Sequence, residues 1–84
     1  MDFSQAGVVE HDGDTFRAHV RWRNEGVRRH AHGPRRPDRQ AAEDDLESMR
    51  AAASGMAREE GYAAMDAEAN RLREGKAPRE EGSV

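Results

Sequence analysis

Phe16-Arg17-Ala18-His19-Val20-Arg21-Trp22-Arg23 is the stretch on which the fold turns. Side chains on a β-strand alternate between faces. Phe16, Ala18, Val20 and Trp22 therefore fall on one side, and Arg17, His19, Arg21 and Arg23 on the other. Such a strand buries an apolar face and presents a cationic one. A row of arginines on the open face of a sheet points to an anionic partner, and nucleic acid is the commonest large polyanion.

The flanks supply neighbours for this strand. Residues 6 to 11, Ala-Gly-Val-Val-Glu-His, form a short strand candidate, and Asp12-Gly13-Asp14 reads as a tight turn. Asn24-Glu25-Gly26 is the next turn, with Gly26 suited to positive φ. Residues 27 to 32, Val-Arg-Arg-His-Ala-His, follow as a third strand with poor alternation. Either Val27, Arg29 and Ala31 or Arg28, His30 and His32 face outward, depending on the turn. Gly33-Pro34-Arg35-Arg36-Pro37 ends the sheet, and Pro37 or Asp38 opens a helix.

Ala42, Leu46, Met49 and Ala53 recur at helical spacing within residues 38 to 53, and Ser54-Gly55 supplies the stop. A second helix over residues 57 to 74 carries the stripe Tyr62, Met65, Ala69 and Leu72. Glu59 and Glu60 in its first turn and Arg71 and Arg73 in its last suit the helix dipole. Gly61 is a weak point there, costing about 1 kcal/mol relative to alanine. The predicted fold is α+β: a three-stranded antiparallel sheet packed against one or two C-terminal helices. Phe16, Val20 and Trp22 are expected to meet Leu46, Met49, Met65 and Leu72.

The 84 residues suffice for one small domain, expected over residues 6–75, with 1–5 and 76–84 as flexible termini. Hydrophobic residues make up 35%, charged residues 37% and aromatics 5%, so the core is thin and its stability marginal. A net charge of only −3 and periodic apolar positions argue for folding over disorder. The charge is segregated: residues 1–39 hold eight arginines against six acids, and residues 40–84 hold six basic against eleven acidic groups. The basic character is local, so the acidic whole is compatible with a polyanion partner. There is no cysteine, hence no disulfide framework or thiolate metal site. No apolar run approaches the ~20 residues of a membrane span, and no apolar leader segment is visible at the N-terminus.

The pattern from Gly7 to Ala53 resembles the plant ethylene-response-factor (Apetala-type) DNA-binding domain. The elements that carry the likeness are Gly7-Val8, then Phe16-Arg17-Ala18-His19-Val20-Arg21, then Gly33, then Ala41-Ala42. The resemblance implies a three-stranded sheet on a helix, with the outer face of the sheet in the DNA major groove. It implies groove-facing places for Arg17, His19 and Arg21 on the second strand and for Arg29 on the third. This chain departs from the family at Val9, Glu10 and His11, where the family carries arginines. It departs again at Ala31, which matches a DNA-contacting tryptophan. The second helix also lies outside the plant pattern, and the whole chain looks more like the tandem, arginine-rich, Apetala-like repeats of some unicellular eukaryotes. Gly82-Ser83-Val84 echoes the start of the first strand, as the beginning of a next repeat would.

Arginine suits guanine edges and phosphates because its fork donates two parallel bonds. Arg35, Arg36 and Arg39 crowd a helix start, where cations oppose the dipole, and so suit flanking phosphates. The expected DNA-binding set is Arg17, His19, Arg21, Arg23, Arg29, Arg35 and Arg36. His19, His30 and His32 share a face in one register of the third strand, and three imidazoles can ligate zinc. The surrounding arginines and the lack of an obvious supporting carboxylate argue against it, so no metal or other cofactor is expected. Asp12-Gly13-Asp14 is a turn rather than a calcium loop. Glu43, Asp44, Asp45 and Glu47 are expected mainly on the solvent side of the first helix. No nucleophile–base pair or phosphate loop is present, and no enzyme is expected. The expected function is double-stranded DNA binding by a monomeric unit, nuclear in that case. The alternative is a structural or protein-interaction repeat that contacts its neighbours.

Overall fold

A computed structural model describes residues 2–75. The tail 76–84, with its echo of the first strand, lies outside the described residues. Three strands, β1 (Val8–Asp12), β2 (Thr15–Asn24) and β3 (Val27–His32), precede two helices, α1 (Arg39–Ala53) and α2 (Arg58–Arg73). The strands form one antiparallel sheet in the order β1-β2-β3. The fold is the α+β arrangement expected from the sequence.

Two-residue loops set both registers. Asp12 pairs with Thr15 across Gly13-Asp14, and Asn24 pairs with Val27 across Glu25-Gly26. Glu25 and Gly26 both adopt positive φ, 53° and 80°. That geometry matches the right-handed twist of the flanking strands. It aligns His19 with His32, Arg21 with His30, and Arg23 with Arg28. Side chains of directly opposed residues share a face. Arg28, His30 and His32 therefore point outward with the β2 cations. Val27, Arg29 and Ala31 lie on the helix side.

The apolar face is covered by the helices. Ala18, Val20 and Ala31 from the sheet meet Leu46, Met49, Ala53, Met65 and Ala69, with Trp22, Tyr62 and Leu72 partly buried around them. Phe16 departs from expectation: it sits outside this cluster, half-buried. Its ring stacks on His11 at 4.6 Å, with the Arg39 guanidinium 5.9 Å from its centroid. Phe16 is near the β1–β2 turn, beyond the reach of the helix stripe. Its backbone instead pairs with Arg36, so the loop after β3 continues along the start of β2.

Residues 1–5 are not a loose terminus throughout. Phe3 is 3% exposed and packs edge-on against Tyr62, with centroids 5.2 Å apart. Its ring occupies the space above Gly61, where a Cβ would come within 2.1 Å of it. The glycine that weakens α2 in isolation is the seat for a core aromatic. Gly7 is constrained twice. Its φ is +79°, and a Cβ there would lie 2.6 Å from Val20 and 2.8 Å from Leu46. The left-handed turn at Gly7 also explains why β1 begins at Val8 rather than Ala6. Arg50 of α1 anchors this N-terminal segment, donating from Nε to the Ala6 carbonyl at 2.8 Å.

Candidate nucleic-acid interface

The outer face divides into two regions. Beside β1, cations meet carboxylates. Glu10 lies directly opposite Arg17 and accepts from its Nε at 3.1 Å. Glu10 also accepts from His19 Nδ1 at 2.6 Å. These two partners hold the Glu10 carboxyl below its usual value, against a desolvation that alone would raise it. Arg35 pairs with Asp12 at 2.7 Å, and its hydrogen bond keeps that exposed carboxyl below the ordinary range.

Arg36 is tied most firmly. Its Nε and Nη2 donate to the two oxygens of Asp45 at 2.7 and 2.9 Å. Asp45 is buried, contrary to the solvent-facing position expected for it, and its bond raises the Arg36 pKa further. Asp45 stands three residues after Ala42 and four before Met49, so it shares their buried stripe. A buried carboxylate needs a fixed partner, and the bidentate fork supplies it. Arg36 is thus a structural cation here.

Beyond Val8, the β2–β3 ribbon continues without β1. Arg21, Arg23 and Arg28 stand exposed on its outer face, with Arg29 exposed on the opposite face beside Trp22. Among the described residues, none of these four guanidiniums has an ion pair or hydrogen bond. A surface groove runs along this ribbon, lined by Arg21, Trp22, Arg23, Arg28, Arg29 and His30. The ribbon is backed by a stack: Trp22 lies parallel to Tyr62 with centroids 5.0 Å apart, and Arg58 covers Tyr62 at 5.3 Å. Arg58 also donates to the Arg23 carbonyl at 2.7 Å.

Seven residues formed the expected set, and the fold separates them. Arg21 and Arg23 are exposed and unpaired on the outer face. Arg17 shares that face but is paired with Glu10. His19 is on it too, yet only 8% exposed. Arg29 is a correction: the Glu25-Gly26 turn sends it to the helix side of the sheet, and Arg28 takes the outward place. Ala31, the match to the family's tryptophan, is buried beneath the helices. Arg35 and Arg36 are engaged by Asp12 and Asp45. Arg28 was within reach of sequence reading, since a two-residue loop at Glu25-Gly26 dictates its facing.

The same register brings His19, His30 and His32 together. His19 Nε2 lies 3.1 Å from His30 Nδ1, and the three rings are close to parallel. Partial burial, then the neighbouring His19 and Arg17, push the His32 pKa below its ordinary value and favour the neutral ring. No helix among the described residues is long and apolar enough to cross a membrane. No protein-family model matches this chain, and no curated protein or solved structure shows significant similarity to it.

Proposed function

We propose that this domain binds double-stranded DNA through the outer face of the β2–β3 ribbon, with Arg21, Arg23 and Arg28 as its principal contacts. The carrying observation is the placement of three exposed arginines, unpaired among the described residues, on one face of a two-stranded ribbon. The major groove admits a ribbon of that width, and arginine donors match both phosphates and guanine edges. Arg17 joins them when a phosphate competes with Glu10. The order strand–strand–strand–helix accords with the Apetala-type domain that the sequence resembles.

The alternative, a repeat whose acidic helix receives the arginines of a neighbour, draws less support. Glu43 pairs with Arg39 and Glu47 with Arg50, while Asp44 accepts from Gln40. These acids are answered within their own helix, whereas the hairpin arginines have no ion pair or hydrogen bond among the described residues.

A titration of amide chemical shifts with mixed-sequence duplex at low salt tests the proposal. Shifts are expected over residues 20–30, weakening steeply as salt rises. An unchanged spectrum sinks the DNA reading. Fixed contacts between two linked copies of the chain, with a spectrum that duplex leaves unchanged, point to the protein-interaction alternative.

A further inference from the structure

We propose that His19, His30 and His32 form a binding site for a late first-row divalent metal ion of the zinc class, supported by Glu10. The inference goes beyond nucleic-acid binding and does not depend on it.

One ring nitrogen from each histidine lies within 4.8 Å of the others. Tetrahedral zinc with Zn–N bonds of about 2.0 Å sets its ligand atoms roughly 3.3 Å apart. The His19–His30 pair stands at 3.1 Å and already meets that spacing. The remaining closure falls to the third ligand. His30 is exposed and His32 half-buried, so both can rotate, while buried His19 is the fixed member.

The charge objection read from the sequence is answered by Glu10. It accepts from His19 Nδ1 at 2.6 Å, which puts the ring proton on that nitrogen and leaves Nε2 as a lone pair facing His30. A carboxylate behind a ligating imidazole fixes its tautomer and orientation and raises its basicity. The same carboxylate neutralises Arg17, the nearest cation of β2 on that side. Arg21, opposite His30, is exposed and can extend into solvent. Binding requires no net loss of protons: His30 Nδ1, the donor to His19 Nε2 in the metal-free chain, gives up its proton as the ring changes tautomer to Nε2–H, and the freed Nδ1 lone pair takes the metal.

Three neutral imidazoles select zinc, cobalt, nickel or copper over magnesium or calcium, which prefer oxygen. Three protein ligands also leave a fourth position for water or an anionic oxygen. The stacked histidines make one good hydrogen bond among themselves, and the His32 ring makes none with any described residue. A purely structural cluster leaves that capacity unused.

The test is a calorimetric titration of tag-free, chelator-stripped full-length chain with Zn2+ at pH 7.5, paralleled by Co2+ absorption. The proposal expects one ion per chain, an intense four-coordinate Co2+ visible band, and a higher melting temperature with excess Zn2+. His30→Ala, at an exposed position outside the core, and His32→Ala should each weaken binding at least 100-fold. Glu10→Gln should weaken it about 10- to 100-fold. His11→Ala, on the other face, should leave it unchanged. Absence of saturable binding overturns the proposal. So does equal affinity in the His30→Ala and parent chains.

Discussion

At the end of the sheet that holds the β1–β2 turn, Arg17, Arg35 and Arg36 each face a carboxylate: Glu10 and Asp12 of β1, and Asp45 of α1. On the β2–β3 ribbon, Arg21, Arg23 and Arg28 face none among the described residues. Both regions look equally basic when arginines are counted along the chain. The difference is that β1 brings acids to one end of the sheet and stops before the other. Available charge depends on where the acids go, and on this sheet β1 and α1 decide that.

The largest expected effect breaks the paired region from within. Arg36→Ala strips the buried Asp45 of its partner and should cost about 3 kcal/mol in urea unfolding. Arg21→Ala, by contrast, should move stability by no more than about 0.5 kcal/mol. Equal costs for the two variants would erase the distinction between structural and available arginines.

Next in size is binding. Removing Arg21, Arg23 or Arg28 singly should weaken duplex affinity roughly tenfold at low salt and lower the salt slope by about one. Arg35→Ala should change affinity less than twofold, because its charge is already countered by Asp12. Fluorescence anisotropy across a salt series measures both. An Arg35 effect as large as that of Arg21 would show that exposed ion pairs yield readily to phosphate.

A smaller effect should convert one region toward the other. Glu10→Gln releases Arg17, so duplex affinity should rise a few-fold and the salt slope should steepen by about 0.9. A decrease would mean that Glu10 positions Arg17 for binding rather than restraining it.

The smallest effect is a titration. Arg35 holds the Asp12 carboxyl below its ordinary value of 3.8. A depressed carboxyl favours the fold above the unfolded pKa and loses that contribution as pH falls through the folded one. Following the Asp12 carboxyl carbon by NMR, Arg35→Gln should move the midpoint upward, toward the ordinary value. An unmoved midpoint would remove this pair from the paired region.

Much of the scaffold was legible. The alternation of Phe16 to Arg23 gave the central strand, and the steps from Ala42 to Ala53 gave the buried face of α1. Asp45 was expected on the solvent side and is buried on that face, because its position and not its charge determines where the helix puts it. Phe3 was not. It precedes every periodic segment, and its only trace was an unexplained glycine at position 61 on a distant helix. The site was half legible. Arg21 and Arg23 follow from one strand alone, whereas Arg28, Arg29 and the three histidines depend on register, which follows from the sequence only if the loop at Glu25-Gly26 is read as two residues.

The sequence by itself determined the order of elements and the two faces of β2, because both follow from local periodicity and local turn chemistry. Only the tertiary structure decided which cations remain available and that the histidines converge. Those outcomes rest on cross-strand register and on pairs separated by 7, 9 and 23 residues along the chain. Local rules carry side-chain direction along one element. They do not carry the distance between a guanidinium and a carboxylate on another.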